Sequence, residues 1–123
     1  MDVIQRNSTT PFTTKDGSEI RELLAYRNSC IRNQSLAEAT LPPGAATEPH
    51  HHPKAEEIYY LLEGEGEMKM EQDTRLVGPG DAVAIPPGAR HTIRNVGQTP
   101  LVFLCCCAPA YEHEDTVMAT DWP

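Results

Sequence analysis

The chain has few basic side chains, only modest aromatic content and no long apolar run. Its 10 lysines and arginines stand against 18 aspartates and glutamates, a formal net charge of -8. That balance argues against nucleic acid and anionic membrane surfaces as partners. The longest apolar stretch, LVFLCCCAPA, falls far short of a bilayer-spanning helix. The opening residues, MDVIQRNSTTPF, have neither the basic start nor the apolar core of a signal peptide. Cysteine is confined to Cys30 and the adjacent trio Cys105, Cys106 and Cys107. Neighbouring cysteines rarely bridge one another, so no disulfide framework is expected, and a reducing cytoplasm is the expected compartment.

What is present suits one domain, since 123 residues can bury a core but cannot make two ordinary domains. Proline and glycine are plentiful and scattered, which favours short elements joined by turns over a helical bundle. Residues 1–18 are polar and read as a loosely held arm. Residues 19–26, EIRELLAY, suit a short amphipathic helix by residue preference, or a strand with Ile20, Glu22, Leu24 and Tyr26 on one face. The rest of the chain favours the strand. After the breaker Pro42-Pro43-Gly44, short β-prone runs alternate with turn signals: IYYLL, EMKME, TRLV, AVAI, HTIR and LVFLCCC. This rhythm predicts an all-β sandwich or barrel. IYYLL and LVFLCCC are apolar on both faces, so one face is expected to pack on an added strand or a second subunit, and a homodimer is expected.

The stretch EPHHHPKAEEIYYLLEG is the chemically distinctive one. Alternate side chains of a strand share a face, so His50 and His52 point together while His51 points away. Glu57 shares its face with Tyr59 and Leu61, whereas Glu56 points outward. His91 opens the strand HTIRN after the turn PPGAR. Three imidazoles and a carboxylate make a mixed nitrogen–oxygen donor set for one divalent transition metal: Fe, Mn, Ni, Co, Zn or Cu. Four protein ligands leave two positions of a six-coordinate ion open, as catalysis requires.

Residues 44–95 resemble the two signature motifs of the cupin superfamily. Gly44, His50, His52, Glu57 and Gly64 fill the first, with AATEP, PKAE and IYYLLE as spacers. Gly80, Pro86, Gly88, His91 and Asn95 fill the second, with DAVAI, AR and TIR between them. The resemblance implies an all-β, cupin-type jelly-roll β-barrel at residues 19–110, between the arm at 1–18 and a tail at 111–123, with the metal held inside. The motif glycines stand where turns need positive φ, and Pro86 ends a strand.

Other residues carry weaker expectations. Tyr59 is the candidate catalytic residue, as a pocket phenol that donates a proton or hydrogen bond, and Tyr26 is a second candidate. Cys105 and Cys107 share a face and are expected to pack as small hydrophobes. His113 with the acids of YEHED is expected to be solvated, and Arg90 and Arg94 are candidates for gripping an anion at a barrel mouth. A small oxygenated substrate at a metalloenzyme centre, dioxygenase or isomerase/lyase in type, is the first functional expectation. A non-catalytic, metal-anchored small-molecule sensor is the alternative.

Overall fold

The computed structural model describes residues 1–122; the last residue of the expected tail lies outside them. One antiparallel sheet runs in the order β1 (Phe12–Thr13), β2 (Glu19–Leu24), β3 (Ser35–Leu41), β10 (Leu101–Ala108), β5 (Glu56–Glu63) and β8 (Ala82–Ile85). The second runs β11 (Val117–Met118), β4 (His50–His51), β9 (His91–Asn95), β6 (Gly66–Met70) and β7 (Asp73–Val77). The arrangement is the expected all-β jelly roll. Every expected run is a strand, and residues 19–24 are strand rather than helix.

Strand β5 explains how the sheets meet. Glu57, Tyr59 and Leu61 are buried, while Glu56, Ile58, Tyr60 and Leu62 are exposed. The inward side chains join a core that includes Leu101 and Phe103 from the same sheet and Met68 and Ile93 from the other. Each large apolar side chain buried this way contributes roughly 1.5–3 kcal/mol. The shared core fixes the spacing of the two sheets and therefore the width of the space between them.

Two motif residues hold the turns that set this register. Gly64 has φ +87°, and a Cβ there would lie 2.6 Å from the Pro100 carbonyl oxygen. No other residue fits that approach without displacing the backbone. Asn95 is fully buried and its amide donates to the Leu41 and Thr99 carbonyls at 2.9 and 2.8 Å. Its Oδ1 accepts from the Gly97 amide at 2.9 Å. The side chain thereby closes the turn between β9 and β10 and ties it to β3.

The two chain ends pack onto this frame. Residues 12–20 form a hairpin that crosses the expected boundary at residue 18, with Phe12 opposite Ile20. Asp16 at its tip accepts the Glu48 amide on its backbone oxygen at 2.6 Å. At the other end, β11 pairs with β4, with Met118 opposite His50. The tail thus folds back over the domain. Among the described residues, no helix is long and apolar enough to cross a membrane.

Candidate metal centre

Strand register brings the site together. His50 and His91 are direct cross-strand partners on β4 and β9, and Glu57 on β5 is the direct partner of Cys107 on β10. His50 and His91 come from one sheet, His52 from the residue after β4, and the carboxylate from the other sheet, facing across the interior. His50, His52, Glu57 and His91 are all buried. One ring nitrogen from each of the three histidines lies within 4.8 Å of the others, a group that can hold a metal ion. His51 points elsewhere and is half-buried.

Each imidazole is set by its other nitrogen. His50 Nδ1 donates to the Glu48 carbonyl at 2.7 Å, His91 Nδ1 to Ala89 at 2.9 Å, and His52 Nδ1 to Asp115 at 3.1 Å. A carbonyl only accepts, so the proton sits on Nδ1 and the Nε2 lone pair is turned inward. Backbone contacts of this kind orient metal-ligating histidines and fix their tautomer.

Glu57 Oε1 lies 3.3 Å from His52 Nε2 and 3.5 Å from His91 Nε2. Glu57 Oε1 and His91 Nε2 are both buried without a hydrogen-bond partner. Buried polar atoms are satisfied almost everywhere in native proteins, so two convergent orphans mark a position for a cation. The donor set fits a divalent transition metal.

The electrostatics agree. Burial alone raises the Glu57 carboxyl, but the nearby His52 and His91 imidazoles outweigh it and hold the group below the usual carboxylate range. His52 is raised, because Glu57 outweighs its burial. Burial, helped by His91, lowers His50 to about 4. The centre therefore favours an ionised carboxylate beside the imidazoles.

Above it lies a small, partly open pocket with a cavity volume of about 40 Å³. Tyr59 lines it, 2% exposed, with its ring packed on Phe103 at 4.7 Å and near His91 at 5.9 Å. Cys105 and Cys107 both face it, and Cys107 donates its thiol to Glu57 Oε2 at 3.2 Å. Burial and Glu57 push both thiols up, so they stay protonated. Cys107 is thus a hydrophobe with one polar duty.

Other candidates lie elsewhere. Tyr26 is exposed and bonds Glu112, because the chain turns after Leu24 and the strand parity ends there. Arg90 pairs with Glu71 at 2.7 Å, and Arg94 reaches only the Gly44 carbonyl; neither lines the pocket. His113 is exposed, while Asp115 beside it caps the Lys54 and Ala55 amides. Asp16 and Tyr111 line the pocket although no motif marks them. Asp16 lies in the stretch KDGS of the expected arm, and nothing local tells that it lands beside His50.

The comparisons accord with this geometry. The Cupin domain family model matches residues 37–107. An uncharacterised protein of Methanocaldococcus jannaschii is 50% identical over 106 residues, 86% of this chain and 85% of that protein. The oxalate-binding protein of Thermotoga maritima is 34% identical over 86 residues, covering 70% and 71% of the two chains. Among solved structures, a predicted oxalate decarboxylase of Thermotoga maritima superposes with a TM-score of 0.78 at 28% identity, covering 88% of this chain and 99% of that one. The polyketide cyclase RemF of Streptomyces resistomycificus superposes at 0.79 with 24% identity, covering 97% and 85%, which speaks for the fold alone. Two motifs, a two-sheet jelly roll and a buried histidine trio thus converge on one conclusion: the chain belongs to the cupin family.

Proposed function

We propose that this protein is a metal-dependent enzyme acting on a small oxygenated substrate, with His50, His52, His91 and Glu57 as the metal ligands. The observation that carries the reading is the convergence of two orphaned buried atoms, Glu57 Oε1 and His91 Nε2, beneath an open pocket. A divalent ion there supplies Lewis-acid polarisation of a substrate oxygen, or dioxygen chemistry if it is Fe or Mn. The chain's own groups do the rest. Burial raises the Tyr59 phenol well above its ordinary value, so it keeps its proton and serves as a hydrogen-bond donor to substrate. Phe103, Cys105 and Cys107 keep the floor apolar and limit water.

Purified metal-loaded protein, screened against small keto acids, diketones and phenols, tests the reading. Turnover abolished by His91→Ala is expected. Stoichiometric binding without turnover for any of them would replace it with a metal-anchored binding or sensor role, which the name of the oxalate-binding relative favours.

The same reading extends to assembly and location. Ile58, Tyr60 and Leu62 form an exposed apolar row on the outer face of β5, at 49%, 44% and 39% exposure. A row of this kind suits a homodimer interface. All four cysteines are free, which suits a reducing cytoplasm.

A further inference from the structure

The pocket walls carry three carboxylates, Asp16, Glu22 and Glu57, and among the described residues no lysine or arginine lines them. Arg27 stands outside the lining, and its charge is already committed. It pairs with Glu22 at 2.6 Å and Glu112 at 3.4 Å, and donates to the Tyr111 carbonyl at 2.9 Å.

Asp16 is built into the site from outside both motifs. Its Oδ1 accepts from Thr14 Oγ1 at 2.6 Å, Ser18 Oγ at 2.6 Å and the Ser18 amide at 3.0 Å. Those bonds lock the side chain. Its other oxygen, Oδ2, takes no part in them and lies 3.6 Å from His50 Nε2. The tip of the hairpin is itself pinned, by the Glu48 amide on the Asp16 carbonyl and by Lys15 Nζ on the Thr116 carbonyl at 2.9 Å. Asp16 Oδ2 is thus a fixed acceptor at the edge of the candidate centre.

The charge count then decides the ligand. A divalent ion on the histidines brings two positive charges, and Glu57 with Asp16 brings two negative ones. An incoming ligand meets a centre of no net charge, and Glu22, paired with Arg27, adds no net charge of its own. Placing a small dianion there sets its charges beside the Asp16 and Glu57 carboxylates, which is costly. The remaining surface is made of rings and thiols, including Tyr59, Phe103, Tyr111 and Cys105.

We propose that the pocket takes an uncharged, hydroxyl-bearing cyclic ligand of the phenol or enol class, whose hydroxyl donates to Asp16 Oδ2, and that it disfavours small dicarboxylates. This rests on the metal-centre reading. It separates the chain from the oxalate chemistry named for two of its relatives.

Calorimetric titration of the Zn-loaded protein with 4-methylcatechol and with oxalate tests it; Zn is chosen because it is not redox-active. The wild type binds 4-methylcatechol at least about tenfold more tightly than oxalate. Asp16→Asn keeps an Oδ1 for Thr14 and Ser18 but replaces the second oxygen with a donor, and it narrows that ratio by about fivefold or more. Oxalate binding as tight as the catechol, or a ratio unchanged in Asp16→Asn, would overturn the inference while leaving the metal centre standing. Failure to retain Zn, read from metal content in the same samples, would overturn both.

Discussion

Glu57 Oε1 faces His52 Nε2 at 3.3 Å with both groups buried, so the carboxylate is held below its usual range and the imidazole is raised above its own. Metal and proton therefore compete for one position. Metal uptake below the raised pKa of His52 is expected to release about one proton, and affinity is expected to rise with pH through that pKa. His50, lowered to about 4, is already neutral above that pH and contributes none. Titration calorimetry in buffers of different ionisation enthalpy measures the proton count. A count of zero between pH 5.5 and 6.5 would contradict the pairing.

The same pair predicts opposite trends for the two forms. A histidine raised by folding stabilises the fold fully below its unfolded pKa, near 6.5, and that stability is lost as pH rises through the folded value. Metal-free protein should therefore lose melting temperature above pH 6.5, while the metal-loaded form should not. Parallel melting curves for the two forms would count against the assignment.

Asn95 holds three buried hydrogen bonds with one side chain. Asn95→Ala is expected to destabilise the protein by roughly 2–4 kcal/mol, because the Leu41 and Thr99 carbonyls lose their partner. Urea denaturation measures it. A loss under about 0.5 kcal/mol would show that the turn between β9 and β10 is held by other contacts.

The thiols should react in the order of their exposure. Cys30 is exposed, whereas Cys107 is buried and burial holds both it and Cys105 protonated. Brief iodoacetamide treatment of the native protein, followed by mass spectrometry of its peptides, is expected to label Cys30 well before Cys105 or Cys107. Early labelling of Cys107 would mean the pocket floor opens readily.

The exposed apolar row on β5 predicts a dimer at micromolar concentration by analytical ultracentrifugation. Tyr60→Glu places a charge in the row and should yield a monomer that still binds metal. A wild type that is monomeric throughout would refute the interface.

Much of this centre was legible because the informative residues are local in sequence. The HxH pair, the glutamate five residues on and the PxG turn before His91 each state strand parity and register within a few positions. β5 alternates as read, with Glu57, Tyr59 and Leu61 inside. What parity could not reach was anything delivered over a long separation. Asp16 meets His50 only because the hairpin at residues 12–20 docks on the Glu48 backbone. Tyr111 reaches His52, at 6.0 Å between rings, because the tail folds back onto β4. Arg90 and Arg94 looked like anion anchors from their proximity to His91, yet alternation along β9 turns Arg94 outward and the Glu71 carboxylate takes Arg90.

The central claim is that this pocket holds one divalent transition metal on His50, His52, His91 and Glu57. The direct test is metal content by inductively coupled plasma mass spectrometry, on untagged protein purified without chelators and on its His50→Ala and His91→Ala variants. Near one equivalent of a single divalent metal in the wild type, and loss of it in both variants, is the predicted result. Wild type that stays metal-free after reconstitution, or variants that keep a full equivalent, would contradict it.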